Sequence, residues 1–398
     1  MEEAEVRRYE VIVVGGGPGG TGTVLALAQR APSLAAGTLL LEKAHHPRDK
    51  TCAGGLIPKA HSLLAALGVS ADVPHARVDA AKVAVPGGCV RIAGPDLCRV
   101  VRRREFDAAL ARAAATTGAT MVQNARVLDL RRDGDGVRVE TDAASYWAPI
   151  VVGADGSGSV VRRRLVGEPA GPMARAVMCD VAVSGTTWNG FAARRYDFDF
   201  LGIERGMRGY GWIFPCVLDD VPHANVGVYA LPPYDAAGME MELVRLLTGI
   251  GVAGTPRRRA FPIHTYAPAS RLAAPNALLV GDAAGVDPLM GEGISFALEY
   301  GRAAADAIVS AAATGRLDVA GYESAIHDGP IGRKLARLVW AAERGYGRHW
   351  RVWFRLARSS RRARQAALEW YNGVAPWEGR GRLALARALV RTPRAAAA

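Results

Sequence analysis

Apolar residues in this chain come in two patterns. The first is the short unbroken run: VIVV (11–14), TLLL (38–41), IVV (150–152) and ALLV (277–280). Such runs predict strands buried on both faces, as in a parallel sheet covered by helices. Glycine-rich turns follow the first, third and fourth runs, and the stretch after 14 reads as a helix. The segment 146–154 is expected to be a single strand ending in Ala154. The second pattern is alternation. Segments 78–94 and 174–233 alternate apolar and polar residues between turn signals and predict an antiparallel sheet. Within them "GYGWIFP" (209–215) sets Tyr210, Trp212 and Phe214 two apart, which sends three rings to one face of a strand that Pro215 is expected to end. Residues 234–251 predict a helix on that sheet, and 333–370 are mostly helical in pattern.

The turns carry the first chemistry. Gly15, Gly17 and Gly20, with Pro18 among them, form G-x-G-x-x-G between a strand and a helix. That spacing permits a tight turn and close approach of a pyrophosphate to a helix N-terminus. Glu42, ending the next strand ahead of Lys43, stands where a ribose hydroxyl is bound. Asp155-Gly156 and Gly281-Asp282 close two further strands at the crevice of an open sheet. After Pro288, a helix led by Gly291, Gly293 and Ile294 would aim its positive end at a flavin's pyrimidine edge.

Together these motifs resemble the FAD-dependent oxidoreductases of the p-hydroxybenzoate hydroxylase type, over residues 9–310. "VVRRREFDAALARAA" (100–114) is similar to that family's R-x-x-F-D helix start and implies Arg103 as a flavin contact, with Arg102 and Arg104 as alternatives. The fold implied is α/β. A Rossmann-like FAD-binding domain is built from 1–77, 97–173 and 258–325. An antiparallel-sheet substrate domain (78–96 and 174–257) is inserted into it, and a basic helical C-terminal region (326–398) follows.

Three segments narrow the family. "DKTCAGGLIPKA" (49–60) resembles the K-x-C-x-G-G segment of geranylgeranyl reductases at Lys50, Cys52, Gly54 and Gly55. "GYGWIFP" resembles their Y-x-W-x-F-P at Tyr210, Trp212, Phe214 and Pro215. "GDAAGVDPLMGEGI" carries Gly285 where aromatic hydroxylases often have histidine. The resemblance implies hydride transfer from reduced FAD to a C=C bond of a prenyl chain. Cys52, Tyr210 and Trp212 are the catalytic candidates, and Gly54, Gly55, Tyr210, Trp212, Phe214 and Pro215 are the substrate wall. Lys50 joins Gly15, Gly17, Pro18, Gly20, Glu42, Lys43, Arg103, Asp155, Gly156, Gly281, Asp282, Pro288, Gly291, Gly293 and Ile294 on the cofactor. The alternatives are an FAD monooxygenase or halogenase acting on an aromatic or polyketide substrate, and a non-catalytic flavin-binding membrane adaptor. No second G-x-G-x-x-G appears, so electrons are expected from NAD(P)H, ferredoxin or another external donor.

Charge changes the picture at one end only. Residues 331–398 hold 16 Lys/Arg against three Glu, a balance of +13 in a chain of net +12, which leaves the rest at −1. The tail also holds Trp340, Trp350, Trp353, Trp370 and Trp377, five of the eight tryptophans. Aromatics interleaved with cations suit an anionic bilayer surface better than nucleic acid. The other reading is a helical cap with a solvated basic face. Five cysteines without a C-x-x-C pair argue against a disulfide scaffold and suit a reducing cytosol, with peripheral attachment to the membrane. No metal site is expected.

Overall fold

The structure is a computed structural model describing residues 6–373 except 71, 170, 255, 315–318, 320 and 360, and only the backbone at 362 and 363. Trp377 and the end of the basic tail lie outside the described residues.

The apolar runs form one six-stranded sheet. Its order is Thr120–Gln123, Thr38–Glu42, Val11–Val14, Ile150–Gly153, Ala277–Leu279 and Ala273–Ala274. All neighbours are parallel except the last pair. Val11–Val14 lies centrally, and the chain leaves it in opposite directions, so the C-terminal ends of its neighbours frame a crevice. The helices Pro18–Arg30 and Ile294–Ala313 pack against one another, bringing both glycine-led N-termini to that crevice.

The segment 146–154 is not one strand. Ser145–Ala148 pairs within a separate four-stranded sheet with Arg7–Arg8, Gly136–Thr141 and Val127–Asp133, whereas Ile150–Gly153 belongs to the parallel sheet. Pro149, which lacks an N–H, marks the change of sheet.

The alternating segments build an eight-stranded, largely antiparallel sheet: Arg259–His264, Met173–Ala182, Val221–Ala230, Gly209–Leu218, Arg195–Asp199, His75–Val85, Gly88–Val101 and Gly55–Leu56. It draws strands from outside 78–96 and 174–257 at both edges. Pro215 does not end its strand, which runs on to Leu218. The neighbouring Arg195–Asp199 pairs only with residues 211–213, so the missing N–H falls beyond that ladder. Asp219 and Asp220, both at positive φ (48° and 60°), make the two-residue turn into the next strand. Helix Ala236–Gly249 covers the outer face of this sheet through Leu243, Leu246 and Leu247. The inner face carries the rings. Three helices of the tail, Pro330–Gly345, Trp350–Ser359 and Arg361–Tyr371, close over that inner side.

Candidate functional site

A single cavity of 1270 Å³ runs from the glycine turn to the tail helices. It exceeds the roughly 300–1,000 Å³ usual for small-molecule sites, enough for a dinucleotide and more. Its lining divides into a polar, glycine-rich end and an apolar, ring-lined end.

The polar end starts at helix Pro18–Arg30, whose N-cap Gly17 offers no side-chain cap, so its first amides are free for an anion. Gly20 does not line the cavity. A Cβ there would lie 1.9 Å from the Gly15 carbonyl oxygen, so this glycine serves the turn. Glu42, only 3% exposed, accepts the Gly16 and Ala44 N–H groups (both 3.0 Å). Arg48 bridges Glu42 (3.2 Å) and buried Asp107 (3.1 Å), and Arg103 holds both Asp107 oxygens at 2.6 and 2.8 Å. Burial works against the charge of Arg103, but Asp107 outweighs it and its pKa is raised. A Cβ on Gly17 would stand 3.7 Å from Arg48 and 3.9 Å from Arg103, so both guanidinium groups face the turn. The buried Arg48 Nε has no partner. Free amides, two arginines and an orphaned donor fit a pyrophosphate. Arg103→Ala removes a charge-assisted bond, and FAD affinity is expected to fall about 10- to 100-fold in a flavin-fluorescence titration of the apoprotein.

Lys43, next to Glu42, lines the cavity at the turn; farther along, Gly156, Asp282, Gly291, Gly293 and Ile294 line it as well. Asp282 sits in the turn Gly281–Ala283 straight after its strand, and the N-cap of Ile294–Ala313, Gly293, again offers no side chain, although Glu292 takes the Ser295 N–H (2.8 Å). These positions fit an isoalloxazine and its ribityl chain. Asp155 lines the cavity too: its Oδ2 accepts the N–H groups of Val160 (2.7 Å) and Val161 (3.2 Å), capping the turn that follows, while its buried Oδ1 has no partner. Pro288 and Pro215 do not line the cavity. Lys50 lies 2.9 Å from the centre of the Phe261 ring, and burial lowers its pKa to about 8.

Cys52 and Gly54 lie where the two ends meet. The Gly54 N–H donates to Cys52 Sγ (3.3 Å), and a Cβ on Gly54 would be 2.0 Å from the Val101 carbonyl oxygen. Only glycine fits there, at φ 81°. Gly55 backs onto the Phe214 ring.

Beyond them the wall is aromatic. Tyr210, Trp212 and Phe214 all line the cavity and are under 9% exposed. Tyr196 and Phe198 join them from the neighbouring strand and Phe200 from just past its end, with Phe198 5.3 Å from Phe214 and 5.7 Å from Tyr210. That second row, Y-x-F-x-F in "YDFDF", has the same period of two and was a readable signal.

The polar groups of Trp212, Tyr210, Tyr229 and Tyr346 are spent inside the protein. The Trp212 Nε1–H donates to Asn225 Oδ1 (2.7 Å), and Asn225 Nδ2–H donates to Asp180 (2.7 Å). Asp180 in turn accepts both Arg102 nitrogens (3.0 Å each) and Arg259. Asn225 is fully buried, and this chain fixes the indole across Gly227, where a Cβ would be 2.1 Å from the ring. Tyr210 donates to the Met290 carbonyl (2.6 Å), Tyr229 to Pro288 (2.9 Å) and Tyr346 to Leu289. Burial raises the pKa of all three phenols. Tyr210 and Trp212 therefore present rings rather than protons, which leaves Cys52 as the thiol among the three catalytic candidates.

Three hydroxyls thus pin the carbonyls of 288–290, and Asp287 pins the same loop from below. Its carboxylate accepts the N–H groups of Leu289 (2.6 Å) and Met290 (3.2 Å) and the Tyr371 hydroxyl (2.8 Å). Burial raises its pKa from the ordinary 3.8 to about 6, over the opposing effect of these donors. The folded state holds this proton more tightly than the unfolded chain. The resulting stability is complete below about pH 4 and lost as pH rises through about 6. Two pKa units are worth about 3 kcal/mol. Relative to Asp287→Asn, the wild type should gain about that much between pH 7 and pH 4 in urea melts. Tail residues Tyr346 and Tyr371 thereby hold a loop of the flavin end.

Comparison with known proteins follows the same lines. Residues 8–213 match the model of the FAD binding domain family. A menaquinone reductase of Mycolicibacterium smegmatis is 31% identical over 332 residues, 77% of this chain and 78% of its own. A digeranylgeranylglycerophospholipid reductase of Methanothrix thermoacetophila is 29% identical over 83% of this chain and 85% of its own. The chain belongs to the geranylgeranyl reductase family of FAD-dependent oxidoreductases. The fold agrees with that membership. A geranylgeranyl bacteriochlorophyll reductase-like protein from Thermoplasma acidophilum superposes with a TM-score of 0.72 at 23% identity, covering 86% of this chain and 88% of that one. Membership makes the protein an FAD-binding oxidoreductase, and the polar end of the cavity fits that cofactor. Among its described residues, no helix is long and apolar enough to cross a membrane.

Proposed function

We propose that this reductase saturates C=C bonds of a prenyl chain of geranylgeranyl type. The supporting observation is the continuation of the flavin cavity into an apolar, ring-lined end where the Tyr210 and Tyr229 hydroxyls and the Trp212 indole N–H are committed to protein partners. An isolated alkene has no carbonyl to activate it, so it needs a dry site and close alignment. Each five-carbon isoprene unit buried is worth about 4 kcal/mol before entropy costs. Such a wall suits a hydrocarbon, whereas a hydroxylated aromatic substrate would leave its polar groups unpaired there.

FAD, when bound and reduced, supplies the hydride; the second alkene carbon needs a proton. The bond from Gly54 fixes Cys52 Sγ at the cavity surface without using the thiol hydrogen, so Cys52 is the donor in this proposal. Lys50, mostly protonated at neutral pH and within electrostatic reach of Cys52 and Asp282, keeps positive charge at this junction. Tyr210, Trp212 and Phe214 orient the chain and exclude water. Electrons reach FAD from an external donor, either NAD(P)H or a protein such as ferredoxin.

The test is anaerobic. Holoprotein with its flavin reduced is mixed with menaquinone, a digeranylgeranyl glycerophospholipid and geranylgeranyl diphosphate. Reoxidation by at least one, with loss of its alkene, is the expected result. Reoxidation by oxygen alone would reject the proposal.

A further inference from the structure

The tail has two faces. On helix Trp350–Ser359, Trp353, Phe354 and Ala357 line the cavity, and Phe354 packs on Phe200 at 5.3 Å. Arg351, Val352, Arg355 and Arg358 are exposed and do not line it. Arg348 before this helix and Arg361 after it are exposed as well. Arginines in the body are commonly paired: Arg102 with Asp180, Arg103 with Asp107, Arg195 with Asp197 and Arg245 with Glu242. In the tail, among the described residues, the one ion pair is Arg344 with Glu343, at 3.9 Å. Its other nearby acid, Glu369, accepts from Gln365. The outward row therefore carries uncompensated positive charge on the helix whose inner side walls the prenyl end of the cavity. The chain past 373 adds Arg380, Arg382, Arg387, Arg391 and Arg394 against Glu378.

We propose that Arg348, Arg351, Arg355 and Arg361 form a docking surface for an anionic lipid bilayer, seating the apolar end of the cavity on the leaflet that holds the substrate. The choice of a bilayer over another polyanion rests on the prenyl reading above: a water-insoluble chain must pass from lipid to the cavity, and this face covers that end. Val352 is the sole exposed apolar residue on the described helix face, so contact stays at headgroup level and is electrostatic. Such binding weakens as salt rises.

Removing the whole tail would not test this, because Tyr346 and Tyr371 hold the 287–290 loop. The test uses full-length holoprotein and the triple variant Arg351→Gln, Arg355→Gln, Arg361→Gln in flotation with phosphatidylglycerol-containing or pure phosphatidylcholine vesicles. Wild type is expected to float with the anionic vesicles only and to be released by salt. About fivefold is lost per arginine, hence about a hundredfold for the triple variant. With detergent-dispersed prenyl substrate the variant should match wild type, and with substrate embedded in anionic vesicles it should fall behind. Failure of the wild type to float, equal binding to neutral vesicles, or wild-type binding by the variant would overturn the proposal. So would retention on duplex DNA in preference to anionic vesicles. Absence of turnover in detergent would count against the prenyl reading, while flotation would still decide the docking.

Discussion

Cys52→Ser is expected to retain FAD and to lower prenyl turnover at least about a hundredfold, within the range contributed by a positioned general acid. Serine preserves the size of the side chain and can still accept the Gly54 N–H, so the 52–55 turn should stand. A hydroxyl is a far weaker acid than a thiol and should fail to deliver the proton when the hydride arrives. Flavin absorbance of the purified variant and its steady-state kcat separate the two effects. An unchanged kcat would return Cys52 to a packing role, since it is half-buried and already bonded within its own turn.

The second large effect is at the wall. Trp212→Ala with Phe214→Ala strips two rings from the apolar end without touching Arg48, Arg103 or the glycine turn. FAD should stay, and kcat/KM for a prenyl substrate should fall by about two orders of magnitude or more, as burial of about one isoprene unit is lost and alignment loosens. A subtler variant separates burial from alignment. Asn225→Leu keeps both rings but leaves the Trp212 N–H and Asp180 without their shared partner. It should lower kcat more than it raises KM and shift the tryptophan emission. Kinetics unchanged in both variants would make the rings plain sheet core.

Why some of this was legible follows from sequence distance. The buried strands announce themselves because four apolar residues in a row followed by glycine are local signals, and Tyr210-x-Trp212-x-Phe214 shows its face by period alone. Arg103 was legible through the R-x-x-F-D start of its helix. Arg48 was not: it is one cation among several in "HHPRDK", and only the fold brings it between Glu42 and Asp107. Asp180 and Asn225 lie on neighbouring strands, and their bond depends on register. Asp287 meets Tyr371 across 84 residues, so no pattern in either segment could show that the tail closes the flavin end. Pro215 misled because the stop rule for proline assumes a ladder on both sides of the strand, and here one side had ended. The basic tail was legible as charge, but its apolar face could serve a cavity only once the fold had placed it there.

The most direct test of the central claim is the mass of the substrate after turnover. The reduced holoprotein is incubated without oxygen in D₂O with menaquinone or a digeranylgeranyl glycerophospholipid, and the extracted lipid is analysed by mass spectrometry. The account predicts a prenyl chain carrying two added hydrogens per bond reduced, one on each alkene carbon and both of them deuterium, because the Cys52 thiol and the N–H of the reduced flavin both exchange with solvent. A prenyl chain recovered unchanged, together with an aromatic compound that gains an oxygen or a halogen once air is admitted, would contradict it.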